Sequence, residues 1–337
     1  MLSIPKFIVA LACAGALLGL AAPDAWAAQQ KEGCHVEEII DQDGDPQILM
    51  ESEWISMHLM PSIQSMIVRF VFRPTGNDIL DEIQPKFIQV GGGLLQDNFW
   101  EQDWRYSEFR KPYDYRIVKS TPEEAQVVFE TVSEGWLQAA ESGIKSKLLS
   151  NIRIRRTVTL KSGAPYFLFD LELIDEDKQA KLPMMWTHNS AICDPEQGDQ
   201  VHRPSARGVR RIGAVGRHTS TDTVSGEECF VKDFNEGWCA RVSAVRKEGV
   251  VYLMDYDYLQ FLYNCGTATD EWIYDNLLLL KNHPWKGRVY ILPVMGLSRV
   301  DYANEFFILE MTPKREKGRL DFSYTVTATY IPVRRIA

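Results

Sequence analysis

Residues 183–208 read PMMWTHNSAICDPEQGDQVHRPSARG, and they concentrate groups able to move protons or hold polar ligands. Trp186 and His188 stand two apart in an apolar run, and Asp194, Glu196, Asp199, His202, Arg203 and Arg207 follow with little hydrophobic material between them. Were 184–191 a strand, Met184, Trp186, His188 and Ser190 would share one face, with Met185, Thr187, Asn189 and Ala191 on the other. A histidine near its ordinary pKa is a natural proton donor or acceptor for sugar ring-opening or lyase chemistry at neutral pH. The competing reading is a hydrogen-bonded histidine at a strand end. His188, Asp194, Glu196, Asp199 and His202 also offer oxygen and nitrogen ligands that would suit calcium best. Their spacing matches no metal motif, so the reading taken is a solvated loop, with no metal and no cofactor.

A second chemistry-bearing stretch, VGGGLLQDNFWEQDWRYSEFRKPYDY, covers 90–115. Three successive glycines give close backbone approach or positive-φ turns at a cost in chain entropy. Behind them Trp100, Trp104, Tyr106, Phe109, Tyr113 and Tyr115 alternate with Asp97, Glu101, Asp103, Arg105, Glu108 and Arg110. Sugars are held by such mixtures: C–H faces stack on rings while hydroxyls bond to fixed polar groups. The plainer alternative is an aromatic core loop with a charged, solvated side. No Gly-Lys-Ser/Thr follows the glycines, which excludes a phosphate loop. No Gly-x-Ser-x-Gly occurs, and no zinc or Cys-x-x-Cys spacing.

Period-2 patterns run through the elements that must position these groups. MIVRFVFRP (66–74), AQVVFETV (125–132), NIRIRRTVTL (151–160) and PYFLFDLELID (165–175) lie between turn signals, and 151–160 with 165–175 form the clearest hairpin. Helical spacing is weak, with short helices expected only in SEGWLQAAESGIKSKLL and SRVDYANE. Strands dominate to the C-terminus, so the expected fold is all-β: a large sandwich or barrel of mostly antiparallel strands with few short helices, as a single domain over 47–337 or as two domains. Residues 28–46 read as a loose arm. No repeat of 20–50 residues is visible.

At the N-terminus Lys6, then FIVALACAGALLGLAA and DAWA, read as a secretory signal cut after Ala27, giving a cleaved segment 1–27 and a periplasmic or extracellular protein. A membrane anchor is the alternative, but the apolar stretch is short for a span. The formal charge of −9 gives little attraction for nucleic acid or anionic lipid. Neither is expected as a partner, and no membrane contact is expected once the signal is removed. Beyond the signal, Cys34, Cys193, Cys229, Cys239 and Cys265 make an odd set; Cys229 and Cys239 bracket a turn-forming segment and are the easiest pair to bridge.

The order of these pieces resembles the galactose mutarotase-like superfamily: ESEWISMHLMPSIQSMIVRFVF, the Gly-rich aromatic segment, the hairpin IRIRRTVTLKSGAPYFLFDLELID, then WTHNSA leading to VHRP. The resemblance implies a β-supersandwich that binds carbohydrate in a cleft. In aldose epimerases a strand-end histidine of the His-Pro-Tyr-Phe-Asn type is the general acid and a late glutamate the base. His188 with Asn189 matches the first in part, without the proline and Tyr-Phe pair; Glu305 and Glu310 are both candidates for the second. The implied protein is a carbohydrate binder, epimerase or mutarotase, its cleft drawn from Trp100, Trp104, Arg105, Tyr113, Trp186, Asn189, His202, Arg203 and Arg207. One alternative is a polysaccharide lyase using His188, His202, Arg203 and Tyr113. Others are a sugar-binding protein without turnover and a structural envelope protein.

Overall fold

The computed structural model describes residues 33–80, 93–100, 106–107, 111–136, 143–177, 179–190, 198–213, 230–263, 269–275 and 277–331. The expected signal, 1–27, lies outside them. Glu32–Ala337 is one compact unit. Five strands open it as a meander: β1 (His35–Ile40), β2 (Pro46–Glu51), β3 (Ile55–Met60), β4 (Met66–Phe72) and β5 (Asn77–Asp78). Next come β6 (Gln96–Trp100) and β7 (Tyr106–Ser107), then β8 (Asp114–Ser120), β9 (Glu124–Trp136), β10 (Lys145–Lys161) and β11 (Phe167–Asp175). The chain continues through β12 (Met184–Ser190), β13 (Asp199–Ser205), β14 (Gly208–Gly213), β15 (Phe230–Val231), β16 (Trp238–Ser243) and β17 (Glu248–Met254). It ends with β18 (Leu259–Tyr263), β19 (Thr269–Tyr274), β20 (Trp285–Met295), β21 (Tyr302–Ala303), β22 (Phe307–Glu316) and β23 (Arg319–Ala328).

Two sheets matter most for function. The larger has nine strands in the order β14-β13-β16-β17-β20-β11-β10-β9-β8; the other has six, β15-β18-β19-β12-β6-β7. All their pairings are antiparallel. Alternation divides the nine-stranded sheet into two faces. Val250, Tyr252, Val289, Ile291, Phe167 and Phe169 join the main core with Met185, Phe99, Trp272 and Tyr274 of the six-stranded sheet. Val251, Leu253, Leu292, Val294, Trp238 and Ala240 point the other way and pack under Ala303 and Ile308 of the C-terminal strands. The fold is all-β, as the sequence predicts.

The expected hairpin forms, with Ile152 opposite Asp175 and Leu160 opposite Phe167 across β10 and β11. Gly163 in its turn has φ +77°. Gly93 confirms one use expected of the triple glycine: a Cβ there would sit 2.4 Å from the Ile67 carbonyl oxygen. There the chain makes an isolated bridge to β4, Leu94 N donating to Ile67 O at 3.0 Å.

Three expectations need correction. No helix occurs among the described residues. Within 133–149, β9 runs to Trp136 and β10 starts at Lys145, with 137–142 outside the described residues. Gly135 has φ +74°, and the β9–β10 register shifts between Lys145 and Arg153, a strand irregularity rather than a helical turn. In 298–305, Ser298 and Asp301 bind β22 instead of closing a helix. Ser298 donates to Glu310, and Asp301 accepts from the Met311 amide at 2.7 Å. The supposed loose arm is partly strand, since β1 pairs with β2 from His35–Glu51 to Ile40–Pro46. The Cys229–Cys239 bridge is absent, because Cys239 is a free, buried thiol, as is Cys34. The structures of Cys193, Cys229 and Cys265 lie outside the described residues.

Candidate functional site

β12 runs through the middle of the six-stranded sheet, between β19 and β6. Its alternation matches the sequence reading and separates two environments. Met185, Thr187 and Asn189 face the interior. Thr187 Oγ1 donates to Asp97 Oδ1 at 2.5 Å, and Asp97 Oδ2 accepts from Arg156 Nη2 at 2.7 Å. Asn189 spans three strands: Oδ1 accepts from the Leu95 amide at 2.9 Å and Nδ2 donates to the Asp270 carbonyl at 3.1 Å. Asp270 in turn takes Arg241 in two bonds of 2.9 and 3.2 Å. Arg156 and Arg241 are completely buried. Charges at this depth are tolerable only when paired and hydrogen-bonded. The interior face is therefore a rigid polar girder under β12.

The opposite face of the same sheet carries a second, smaller apolar cluster of Trp186, Phe261 and Ile273. Trp186 meets Phe261 at 6.3 Å and Tyr263 at 5.6 Å between ring centres, both nearly perpendicular. The register makes two adjacent rows. Trp186 lies opposite Ile273, which lies opposite Phe261; His188 lies opposite Glu271, which lies opposite Tyr263. Gln96 of β6 completes the second row beside His188. Directly opposed residues hold their Cβ atoms about 5 Å apart. Glu271 is 3 % exposed and hydrogen-bonded by the Thr269 hydroxyl. The register thus aligns the His188 position with the Glu271 carboxylate and Tyr263 in one row, beside the packed Trp186, Ile273 and Phe261 row.

The other expected residues fall elsewhere. Tyr113 belongs to the main core, its ring 4.9 Å from the Arg156 guanidinium. His202 and Arg203 are neighbours in β13 and so face opposite ways. Arg203 turns inward and donates to the Leu262 carbonyl at 3.4 Å. His202 lies opposite Ala240 and Arg211, on the face covered by the C-terminal strands. Burial, reinforced by Arg211, holds its imidazole down to about 3. Arg207 is exposed at the β13–β14 turn. Trp104, Arg105 and the side chains of Trp100 and His188 lie outside the described residues, as do Asp194 and Glu196.

Glu310 lies in β22 of the three-stranded sheet β21-β22-β23, and Glu305 lies in the turn between β21 and β22. That sheet packs on the far face of the nine-stranded sheet, so neither glutamate shares a cleft with β12. Glu310 is taken up structurally, accepting from Ser298 N at 2.7 Å and Ser298 Oγ at 2.6 Å. Glu305 is exposed and, with Glu236, Asp255, Asp257, Tyr256 and Tyr302, lines a separate cleft of about 430 Å³. There, burial and Asp257 push the Asp255 carboxyl up, opposed by Arg288. Asp199 pairs with Arg246 at 3.3 Å, and among the described residues no three His, Cys, Asp or Glu side chains converge as metal ligands.

Glu271 and Tyr263 escaped the sequence reading. Their strands show alternation in YLQFLYN and TDEWIYD, but nothing local reveals that β19 pairs with β12.

No family model matches the sequence, and no curated protein matches it. Solved structures do. A candidate mutarotase from Salmonella typhimurium aligns with TM-score 0.51 at 11% identity, over 77% of this chain and 94% of that one. A candidate aldose 1-epimerase from Klebsiella pneumoniae gives TM-score 0.50 at 9% identity, over 81% and 86%. A TPR-domain containing protein from Parabacteroides distasonis gives TM-score 0.53 at 14% identity over 74% of this chain, which spans about half (47%) of that protein's length. At such identities the likeness is one of fold, which this chain shares with these mutarotase-type and epimerase-type structures.

Proposed function

We propose that the chain is an exported carbohydrate-binding protein of the mutarotase type, holding a sugar ring against the face of the six-stranded sheet that carries Trp186, His188, Glu271 and Tyr263. The observation that supports this most is the register of three strands. It sets His188 beside Glu271 and Tyr263 in one row and Trp186 beside Ile273 and Phe261 in the next. In the catalytic form of this reading His188 protonates the ring oxygen while Glu271 takes the proton of the anomeric hydroxyl. The C1–O5 bond then opens, C1 turns, and closure from the other side returns both protons. Glu271 replaces Glu305 and Glu310 as the base, because those two lie across the nine-stranded sheet. The solved mutarotase-type and epimerase-type structures share this fold, which supports a carbohydrate ligand.

Anomer exchange of free aldoses, followed by NMR with and without the protein, tests the reading. Acceleration by the wild type and loss of about 10²–10⁴-fold in His188→Ala is the expected result, the usual range for a proton-transfer residue. Neither exchange nor tryptophan quenching across neutral and uronic sugars would remove the proposal. A binding module without turnover is favoured by the Thr269 hydroxyl already donating to the Glu271 carboxylate. Quenching without exchange would select it. The lyase alternative has little support, since Tyr113 and His202 are both turned away from this face.

A further inference from the structure

The C-terminal ribbon leaves apolar side chains where water can reach them. β22 and β23 pair along their full length, from Phe307–Ala328 to Glu316–Arg319 at the tip. One face carries Leu320, Phe322, Tyr324 and Val326, exposed by 55, 44, 61 and 62 %. Their cross-strand partners are Arg315, Pro313, Met311 and Leu309. Scattered exposed hydrophobics need no explanation, but a continuous ladder does. Among the described residues β23 pairs with no strand besides β22 and forms the edge of its sheet. Edge strands are ordinarily guarded by charge, proline or a bulge. From Phe322 to Ala328, FSYTVTA, there is no charge and no proline.

Charge identifies the occupant. The tip carries Lys314, Arg315, Lys317 and Arg319 against Glu316 and Asp321, a basic pole on a chain of net charge −9. The base of the ribbon is its opposite, with exposed Glu305 beside Thr329 and the acidic cleft of Glu236, Asp255 and Asp257 next to it. Exposed Phe306 and Tyr330 also lie at that end. In an antiparallel pairing of two such ribbons, each tip comes to rest at the other's base. Basic then meets acidic at both ends, and the uncharged segments meet in the middle.

We propose that β23 pairs antiparallel, about a twofold axis, with β23 of a second copy of this chain. The edge amides and carbonyls continue one sheet across both copies, and the two ladders from Leu320 to Val326 pack side by side on one face. The contact is isologous, so it closes at a dimer rather than growing into a fibre.

Light scattering on a sizing column, across micromolar concentrations of the purified protein, is the test. The wild type should be a dimer; Tyr324→Lys, which puts a charge into the ladder, should weaken it by more than about tenfold. The charge reversal Lys317→Glu should also weaken it, and raised salt should do so for the wild type but less for Lys317→Glu. Amide exchange within 322–328 should slow as the wild type is concentrated, a readout that needs no variant. A wild type that stays monomeric with concentration-independent exchange overturns the proposal, whatever else the ribbon binds. So does a dimer that Tyr324→Lys leaves intact.

Discussion

The six-stranded sheet and the C-terminal ribbon depart from the usual partition of residues in opposite directions. Beneath β12 the protein buries Asp97, Arg156, Arg241 and Asp270, each almost wholly shielded from water. Along β23 it exposes Phe322, Tyr324 and Val326. Buried charge is costly unless every group has its partner, and here the partners form a chain: Thr187 to Asp97 to Arg156, and Asn189 to Asp270 to Arg241. Exposed apolar surface costs the monomer little and becomes favourable only when covered. The first region invests in holding one strand in a fixed register, and the second keeps a surface for something outside the fold. Substitutions should therefore separate them cleanly, with large stability losses in the charged interior beneath β12 and almost none in the ribbon.

The sharpest break should come from Arg156→Met. It strands the Asp97 carboxylate in the interior and should cost about 3–5 kcal/mol in chemical denaturation. The double change Arg156→Met with Asp97→Leu should cost clearly less than Arg156→Met alone, since neither charge is then left unpaired. A loss under about 1 kcal/mol for Arg156→Met would contradict the girder.

Acid should find His202 next. Its imidazole is held at about 3, well below the ordinary 6.5, so the unfolded chain takes up the proton first. Stability contributed by keeping it neutral is intact above about pH 6.5. It falls as pH drops from there toward 3, at roughly 1.4 kcal/mol per pH unit for this one group. Urea midpoints measured through that window should flatten in His202→Gln relative to wild type. Equal slopes in both proteins would place the acid sensitivity elsewhere.

Asn189→Ala should cost about 1–3 kcal/mol, because the Leu95 amide loses its acceptor in a buried site. Tyr324→Lys should change the stability of the isolated monomer by less than about 0.5 kcal/mol, as surface changes usually do. A loss there as large as that of Asn189→Ala would mean the ribbon is part of the core and would erase the contrast.

Much of the fold was legible because it rests on local pattern. Alternation in NIRIRRTVTL and PYFLFDLELID, with Ser162-Gly163 between them, specifies both strands and their turn, and WTHNSA places Trp186 and His188 on one face. The site was legible only in half. Glu271 joins the His188 row through the pairing of β19 with β12, and Tyr263 through the pairing of β18 with β19; such partners are set by packing of the whole sheet rather than by nearby residues. Tyr113, His202 and Arg203 misled for the converse reason. Charged and aromatic residues near a candidate motif are close in sequence, but alternation turns His202 and Arg203 to opposite faces, and Tyr113 stacks beneath the guanidinium of Arg156. The helix expected at SRVDYANE failed because its polar groups serve β22 through Ser298 and Asp301 instead of capping a helix.

The central claim is that the register of β12 on β19 builds a sugar site from His188 and Glu271. Its most direct test is titration of wild type, His188→Ala and Glu271→Gln with a panel of aldoses, reading tryptophan fluorescence and anomer exchange in the same samples. The account predicts that a sugar quenches the wild type and that both variants alter binding or exchange while their urea midpoints stay near that of the wild type. Sugar responses identical in all three proteins would contradict it.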